Sequence, residues 1–463
     1  MDLSRDPDVR LAYARDASGL ELVPEAVARP RTAADVVDVV RMAAGEGMSV
    51  TPAGAQTSTT AASIADCGVL LSMRGMARVL DVDAVGRVAR VEPGVIVGVL
   101  NEELAPLGLR FAPDPTSEHE ATIGGAIACN ASGARSLRYG ATRSHVRAVR
   151  VVDGAGDIRD FRRPNLEKNT VGFHLAQDPV DWIVGSEGTL GVVVEAELAL
   201  VSLPAREVGL AIPFRTEREA LAFVVAARRR GDDATGPRPQ CLEYFDNEAL
   251  AIARDEAATS PWMEIASALV YLEQAIEADG SLDDALTSWL ALAEPHGAIV
   301  DDIDVYDDAA AIRAARRFRH AVPSFMNERG SARRAFGGRK VSTDWAVPYR
   351  ELAGALDVAR RAADAQRVAP PVCYGHAGNG HPHENFIAQD ADELTRINTA
   401  VGETIKYVLA LGGTVAAEHG LGKLKRDWLA VQLSPLQLDV MRSLKRLLDP
   451  CGLFAPGNVF SSR

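Results

Sequence analysis

Glycine-rich turns recur over the first 200 residues, and they constrain the fold more than any other feature of the sequence. They cover residues 52–58, 113–125, 130–133 and 185–191. Small residues let backbone N–H groups approach an anion closely, so several such loops together suit a dinucleotide pyrophosphate, although each turn alone is more often a plain link between strands. No Gly-x-Gly-x-x-Gly opens a helix after a strand, and no Gly-x-x-x-x-Gly-Lys-Ser/Thr occurs. The usual Rossmann and P-loop architectures are therefore unsupported.

Local patterns between these turns predict alternating helices and strands. Thr32 is placed to cap a helix through Val36, Val37, Val40 and Met42, because Asp35 occupies the third helical position and Gly45 and Gly47 follow. A short strand is expected at 48–51, a helix near 97–104 and a strand at 109–111. Alternation over 191–200 predicts a strand with one apolar face, formed by Val192, Val194, Ala196, Leu198 and Leu200.

The sequence changes character after Ser202-Leu203-Pro204, where charge and helical periodicity increase. A chain of 463 residues exceeds one core, so two or three domains are expected. We predict an α+β first domain at 1–205, a second α+β domain at 206–420 and a C-terminal segment at 421–463. Helices are expected at 217–230, 309–318, 350–367 and Ser434–Asp449, the last with apolar positions Leu436, Leu438, Met441, Leu444 and Leu447.

Composition excludes several classes of protein. The net charge of −13 argues against nucleic acid and anionic membranes as partners. No run of about 18 apolar residues predicts a transmembrane helix, and the amino terminus lacks the apolar segment of a signal peptide. Five scattered cysteines without a Cys-x-x-Cys pair exclude the usual iron–sulfur spacing. We therefore expect a cytoplasmic protein.

Four of the nine histidines fall in two short segments that together predict a chemistry. The first, residues 375–385, contains His376, His381 and His383, and the second contains Glu418 and His419. Imidazoles, one anionic oxygen and a spare base are what a metal-assisted proton-transfer site needs, whereas a lone histidine is usually structural. If residues 414–419 are extended, Glu418 and His419 point to opposite faces, which favours separate roles as ligand and general base.

The ordered combination of these motifs resembles the vanillyl-alcohol-oxidase/PCMH-type FAD-binding family. Within it, the chain is most similar to the branch of D-lactate, glycolate and D-2-hydroxyglutarate dehydrogenases. The resemblance covers almost the whole chain, through residues 13–19, 113–146 and 185–191, both histidine segments and 448–450. It implies a PCMH-type FAD-binding domain of two α+β subdomains, an α+β cap domain with an antiparallel sheet, and a C-terminal helix that returns to the FAD domain.

The resemblance also implies which residues hold FAD. They are Pro52, Ala53, Gly54, Ala55, Gln56, Thr57, Ser58, Pro113, Asp114, Pro115, Thr122, Gly124, Gly125, Asn130, Ser132, Glu187, Gly188 and Val193. The first loop departs from the family's Arg/Gly-Gly-Gly-Thr form, and alanine there costs little unless φ must be positive. That loop contains no histidine or cysteine, so non-covalent binding of FAD is expected.

By the same resemblance, His376, His383 and Glu418 are metal ligands, Asn385 lines the site and His419 is the general base. Lys340 resembles the family's carboxylate-binding lysine, and Arg319 matches its arginine partner only if an insertion follows it. Two positions depart from the family, which usually has Asp at Asn379 and Asn at His381. The role of His381 as ligand, substrate contact or structural residue stays open.

The implied function is oxidation of a D-2-hydroxy acid (D-lactate, glycolate or D-2-hydroxyglutarate) to the 2-oxo acid, with hydride transfer to flavin N5. The metal is zinc, manganese or iron, since two imidazoles and one carboxylate suit all three. Expected partners are the small substrate, an electron acceptor (a quinone, an electron-transfer flavoprotein or a partner subunit) and a second copy in a homodimer. The alternatives are a transferase similar to alkylglycerone-phosphate synthase and a non-catalytic flavin-binding subunit of an oxidase complex.

Overall fold

The structure is a computed structural model that describes residues 3–232, 237–256, 264–278 and 280–461. The side chains of residues 232, 255, 256 and 317–320 are outside the described part. The α-helices are α1 (Pro7–Ala12), α2 (Ala33–Glu46), α3 (Val97–Leu104), α4 (Ile123–Cys129), α5 (Ser136–Tyr139), α6 (His174–Gln177), α7 (Val180–Ile183), α8 (Glu217–Asp232), α9 (Asn247–Glu256), α10 (Leu282–Ala293), α11 (Ala309–Ala332), α12 (Leu352–Ala365), α13 (Ala391–Ala410), α14 (Leu429–Gln432) and α15 (Pro435–Leu448).

The β-strands alternate with these helices and confirm an α+β architecture. They are β1 (Leu3–Ser4), β2 (Ala26–Ala28), β3 (Val50–Ala53), β4 (Val69–Ser72), β5 (Val79–Asp83), β6 (Val88–Val91), β7 (Leu109–Arg110), β8 (Val146–Val152), β9 (Ile158–Arg162), β10 (Val192–Ala199), β11 (Val201–Ser202), β12 (Arg206–Phe214), β13 (Pro239–Phe245), β14 (Ala268–Ile276), β15 (Asp304–Tyr306), β16 (Gly337–Ser342), β17 (Val372–His376) and β18 (His381–Asp390).

The chain folds into two compact units. Unit 1 contains residues 1–133, 139–203 and 418–463, and unit 2 contains residues 134–138 and 204–417. Unit 1 holds a mixed sheet in the order β1-β2-β4-β3 and an antiparallel sheet in the order β5-β6-β10-β8-β9. Each sheet has its own hydrophobic core, so unit 1 consists of two α+β parts.

Helix α2 begins where the sequence predicts. The Thr32 hydroxyl accepts from the backbone N–H of Asp35, and the Asp35 carboxylate accepts from the N–H of Thr32. This reciprocal cap satisfies two donors that the first turn of a helix leaves without partners. The helix ends at Gly47, whose φ of 68° is left-handed. The predicted capped helix is confirmed.

Strand β10 forms as predicted, but its apolar residues do not share one face. Its pairing with β8 shifts register between Val193 and Glu195, which is a β-bulge. Val192 and Val194 pack in the core of the mixed sheet, whereas Val193, Ala196, Leu198 and Leu200 pack in the core of the antiparallel sheet. Before the bulge the even-numbered residues face the core of the mixed sheet, and after it they face the core of the antiparallel sheet. The strand therefore contributes to both cores.

The C-terminal helix returns to unit 1, as the predicted fold class requires. Ser434 caps α15 with Gln437, and Leu438 and Leu448 are its buried apolar residues. Leu436 and Leu447, two of the apolar positions that the sequence identifies, are 75% and 68% exposed. The side of α15 that faces the core therefore contains Leu438 and Leu448 but not Leu436 or Leu447. After the helix, Leu453 and Phe454 enter the core of the mixed sheet.

Unit 2 is built on one seven-stranded antiparallel sheet in the order β15-β12-β14-β13-β17-β18-β16. This confirms the antiparallel sheet expected for the second domain. Helix α11 is longer than predicted and continues through Pro323. It packs on strands β12, β15, β16 and β18 and therefore covers one face of the sheet.

Candidate functional site

The histidine-rich segment is a β-hairpin in the sheet of unit 2. His376 ends β17, His381 begins β18, and the two residues are paired in register. His383 is paired with Tyr374 in the same ladder. Since residues two apart in a strand point to the same side, and paired residues do so as well, the three histidines share one face of the sheet.

Close packing of the hairpin depends on a glycine between the histidines. Gly375 has a φ of 124°, and a Cβ built on it would lie 2.8 Å from Cδ2 of His383. Any larger residue would displace the imidazole of His383 from this position. The sequence motif therefore has a steric reason as well as a chemical one.

The geometry brings two of the predicted metal ligands together. The ring centroids of His376 and His383 are 5.1 Å apart at an interplanar angle of 78°. Each ring offers a nitrogen, and these two nitrogen atoms lie within 4.8 Å of each other. Two imidazole nitrogens at that separation are able to bind one metal ion from two sides, since a Zn–N bond is about 2.0–2.1 Å long.

His376 has a buried acidic partner that sequence patterns do not reveal. Its Nδ1 lies 2.6 Å from Oε1 of Glu243 on strand β13, and both side chains are almost fully buried. Glu243 is 133 residues away in sequence. Only the pairing of β13 with β17 brings the two residues together.

The imidazole of His381 contacts two consecutive residues, Asp344 and Trp345. Its Nδ1 lies 2.8 Å from the carbonyl oxygen of Trp345, and its Nε2 lies 3.5 Å from Oδ1 of Asp344. The ring centroid is 4.7 Å from that of His383. These contacts fix the orientation of the His381 ring beside that of His383.

The two residues that depart from the family pattern lie in different surroundings. Asn379 is exposed in the turn between β17 and β18, whereas His381 is buried. The aspartate that is usual in the family would stand at this exposed position. In this chain a buried carboxylate, that of Glu243, contacts His376 instead.

Asn385 and Lys340 lie on neighbouring strands of the same sheet. Asn385 is buried, and its Oδ1 accepts from the hydroxyl of Ser342 at 2.5 Å. Lys340 donates to Oδ1 of Asn327 on helix α11 at 2.8 Å. Burial lowers the pKa of Lys340 to about 8, because the charged ammonium loses water that one amide oxygen does not replace.

The predicted carboxylate-binding arginine falls outside the described residues. Arg319 belongs to helix α11, but the side chains of residues 317–320 are not described. One turn earlier, Arg316 binds both oxygens of Glu273 at 2.8 Å. Arg135 also contacts Glu273, whose side chain is 1% exposed. This cluster of two arginines around one buried glutamate was not found from the sequence.

Glu418 and His419 lie at the beginning of the last segment of unit 1. The Ser132 hydroxyl donates to Oε1 of Glu418 at 2.9 Å, and the Thr60 hydroxyl donates to the carbonyl of His419 at 3.2 Å. The segment forms a bend rather than a strand. The condition for Glu418 and His419 to point to opposite faces is therefore not met.

The glycine-rich loops of unit 1 approach one another closely. A Cβ on Gly54 would lie 2.2 Å from Oγ1 of Thr122, which is the residue that caps α4. A Cβ on Gly133 would lie 2.1 Å from the carbonyl oxygen of Asp114. Three of the predicted FAD segments, at 52–58, 113–115 and 122–133, therefore approach so closely that a side chain at Gly54 or Gly133 would not fit between them.

Three predicted FAD residues have left-handed backbones although they are not glycine. Gln56, Asn130 and Glu187 have φ of 60°, 51° and 52°. Such conformations cost roughly 1–3 kcal/mol each and concentrate at ligand sites. Ala55 does not have a positive φ, so alanine is tolerated there, and the amide of Gln56 anchors the loop on the carbonyls of Tyr13 and Ser63. The residues fit the cofactor.

Glu187 binds the backbone of residues 421 and 422, near the beginning of the last segment of unit 1. Its buried carboxylate accepts from the N–H groups of Leu421 and Gly422 at 2.7 and 2.6 Å. Burial raises the pKa of Glu187, and these two hydrogen bonds oppose the rise. A predicted cofactor residue therefore also fixes the backbone next to His419.

Comparison with protein families gives two matches that together cover most of the chain. Residues 24–162 match the FAD binding domain model, and residues 203–459, more than half of the chain, match the model for the C-terminal domain of FAD linked oxidases. The chain belongs to the FAD-linked oxidase family. It is an FAD-dependent oxidoreductase with a PCMH-type FAD-binding domain, as the sequence motifs predicted.

Individual proteins show similarity over the same length. The chain is 30% identical to glycolate oxidase subunit GlcD of Bacillus subtilis (strain 168), over 98% of this chain and 92% of that protein. It is 28% identical to D-2-hydroxyglutarate dehydrogenase of Stutzerimonas stutzeri (strain A1501), over 99% and 96%. A solved structure of alkyldihydroxyacetonephosphate synthase superposes with a TM-score of 0.72 at 18% identity, over 98% of this chain and 83% of the other. The last likeness concerns the fold alone.

Among the described residues, none of the helices combines the length and the apolar character needed to cross a membrane.

Proposed function

We propose that this FAD-linked oxidase converts a D-2-hydroxy acid to the 2-oxo acid with the help of a divalent metal ion. The observation that carries the proposal is the pair His376 and His383, whose ring nitrogens lie within 4.8 Å of each other on one sheet face. Similarity to a glycolate oxidase subunit and to a D-2-hydroxyglutarate dehydrogenase supports the substrate class.

Glu418 is proposed as the third ligand because the residue before it in the chain is held near the histidine hairpin. The N–H of Ala417, the last residue of unit 2, donates to the carbonyl of Asp344 at 2.8 Å. The carboxylate of Asp344 in turn lies 3.5 Å from His381. Consecutive Cα atoms are about 3.8 Å apart. Glu418 therefore starts one peptide bond from a residue that is tied to the histidine hairpin.

The proposed ligand set defines the metal chemistry. Two neutral imidazoles and one carboxylate suit zinc, manganese or iron. A bound ion would supply Lewis acidity that lowers the pKa of a substrate hydroxyl. His376 and His383 would hold the ion from two strands of one rigid hairpin, and Ser132 would orient Glu418 through the 2.9 Å hydrogen bond.

The remaining residues would bind the substrate and move its proton. The ammonium of Lys340 would bind the substrate carboxylate, and the carboxamide of Asn385 would line the site. His419 would accept the hydroxyl proton as general base. Bound FAD would supply the two-electron acceptor for the α-hydrogen. Arg319 is proposed as a second carboxylate contact.

A reduction assay with the purified flavoprotein tests this function. Glycolate and the D and L forms of lactate and 2-hydroxyglutarate are added without oxygen, and bleaching of the flavin absorbance is recorded. One or more of glycolate and the D acids should bleach it, and the L acids should not. Quinones and an electron-transfer flavoprotein, as candidate acceptors, are then tested for reoxidation of the reduced enzyme.

Metal dependence is tested on the same sample. Treatment with a chelator should abolish bleaching by the active substrate, and zinc, manganese or iron should restore it. Failure of every 2-hydroxy acid would overturn the substrate class, and unchanged activity after complete metal removal would overturn the metal role. A His383→Asn variant should behave as the chelated protein does while it retains FAD.

A further inference from the structure

We infer that Glu243 is a positioning residue that holds His376 in the tautomer able to bind a metal ion. This inference rests on the metal site proposed above, and it adds a residue on a strand outside both histidine segments. The contact is direct, since Nδ1 of His376 and Oε1 of Glu243 are 2.6 Å apart.

The chemistry of the two groups determines the tautomer. An ionised carboxylate only accepts hydrogen bonds, so Nδ1 of His376 must carry the hydrogen in this contact. In the neutral ring the lone pair is then on Nε2, which is the nitrogen that this tautomer offers to a metal ion. A carboxylate behind a histidine ligand fixes the direction of the ring and makes the coordinating nitrogen more basic.

Strand pairing explains why Glu243 meets His376 in a fixed geometry. Tyr244 is paired with Gly375, and Phe245 with Tyr374. Continuing this antiparallel register by one residue places Glu243 opposite His376 on the same face. Both partners are held by the central strands of the sheet, so neither depends on a loop for its position.

The burial of Glu243 argues for a specific partner. The residue is 1% exposed, and Cys241 and Phe245 on the same side of its strand belong to a hydrophobic cluster. A carboxylate in such surroundings is strongly destabilising unless it is paired and hydrogen-bonded. An apolar residue would serve the core better, so a role toward His376 accounts for the glutamate.

If the hydrogen between Glu243 and His376 is bonded to the glutamate instead, the tautomer of His376 is different. A protonated Glu243 would donate to Nδ1 of His376 and leave the hydrogen on Nε2, a tautomer that has no lone pair there for a metal ion. The tautomer of His376 in the metal-free protein therefore decides between the two arrangements.

Metal affinity of the full-length FAD-loaded protein is the first test. Zinc binding to wild type, Glu243→Gln and Glu243→Ala is measured by competition with a chromophoric chelator, with elemental analysis of each sample. Glu384→Gln is the matched control. Glu384 lies in the hairpin of His376 and is 1% exposed, as Glu243 is, but its carboxylate accepts a hydrogen bond from Nε1 of Trp345 at 2.9 Å. FAD content and the circular dichroism spectrum report folding.

Loss of the carboxylate at 243 should weaken zinc binding roughly 10- to 100-fold, with FAD content unchanged. The zinc affinity of Glu384→Gln should be within about threefold of that of wild type, a much smaller change than the one expected for the Glu243 variants. Equal zinc affinity in wild type and Glu243→Gln would overturn the inference, as would equal losses in Glu243→Gln and Glu384→Gln.

A second measurement does not depend on the stability of a Glu243 variant. Nitrogen-15 shifts of the imidazoles in metal-free wild type, assigned by comparison with His376→Asn, should show a hydrogen on Nδ1 of His376. A hydrogen on Nε2 would overturn the inference. If wild type binds no zinc, the metal proposal fails separately, and the tautomer still decides the role of Glu243.

Discussion

At the scale of single residues, the charge of Lys340 should control substrate binding. Burial lowers the pKa of Lys340 to about 8, so the ammonium is present below that pH and is lost above it. If Lys340 binds the substrate carboxylate as proposed, only its charged form does so, and kcat/KM should fall as pH rises through about 8. The measurement is a pH profile of kcat/KM for flavin reduction by the active substrate.

Two variants of Lys340 isolate this effect. Lys340→Arg keeps a positive charge at all accessible pH values, so the fall near pH 8 should disappear. Lys340→Met should lower kcat/KM roughly 10- to 100-fold, mainly through KM, because a charge-assisted hydrogen bond is lost. An unchanged fall near pH 8 in Lys340→Arg would assign that ionisation to another group.

The FAD loop offers a second test at residue scale. Gly54→Ala places a Cβ 2.2 Å from Oγ1 of Thr122, so either the loop or the cap of α4 must move. The purified variant should contain less than half of the FAD found in wild type. Gly45→Ala is the control, because Gly45 in α2 has no atom within 4 Å of such a Cβ. That variant should retain FAD and gain roughly 0.5–1 kcal/mol of stability.

At the scale of elements, the end of helix α15 is fixed by one buried ion pair. Nζ of Lys445 lies 2.5 Å from Oδ2 of Asp449, whose side chain is fully buried. The same carboxylate accepts from the N–H groups of Leu453 and Phe454. Asp449→Ala leaves the ammonium without its counter-ion and these two N–H groups without their acceptor, so the free energy of unfolding should fall by about 3 kcal/mol or more. Urea unfolding monitored by circular dichroism measures the change.

Asp439 on the same helix provides the comparison. It pairs with Arg442 at 3.1 Å, but both side chains are more than half exposed. Solvent screens such a pair, so Asp439→Ala should change the free energy of unfolding by less than about 0.5 kcal/mol. Equal effects of Asp439→Ala and Asp449→Ala would contradict a structural role for the buried pair.

Elements with local causes could be predicted from the sequence, and contacts between distant strands could not. The start of α2 follows from Thr32 and Asp35, which are three residues apart, and the cap is present. The bulge in β10 depends on its pairing with β8, so alternation alone assigned Val192 and Leu198 to the same face. Burial on α15 depends on which side meets the core, so its apolar spacing alone does not show that Leu447 is exposed.

The same distinction applies to the candidate site. Motifs within residues 375–385 identified His376 and His383, because the hairpin brings together residues that are close in sequence. Glu243 was missed because a single glutamate in an apolar strand has no sequence signal, and only the order of strands in the sheet places it against His376. Ser132 was expected to hold FAD, but its contact with Glu418 follows from the fold of unit 1.

At the scale of the whole molecule, the residues predicted to bind FAD and the two proposed histidine ligands belong to different parts of the chain. The predicted FAD residues lie in unit 1, whereas the histidine hairpin lies in unit 2. A ligand that binds only the folded state stabilises the part that holds it, by about 2.7 kcal/mol at a concentration 100 times its Kd. Opening of local structure is then suppressed there by about 100-fold, which hydrogen exchange detects.

Hydrogen exchange with mass spectrometry should therefore resolve the two cofactors along the chain. Removal of FAD should speed exchange about 100-fold in peptides from residues 52–58 and 122–133, where backbone groups form the cradle. Removal of the metal with a chelator should speed exchange in peptides from 372–390. His383→Asn is the control, because chelator should no longer change exchange in its hairpin peptides. If FAD removal instead speeds exchange in the hairpin as much as in residues 52–58 and 122–133, protection by FAD is not confined to its predicted binding residues and the prediction is wrong.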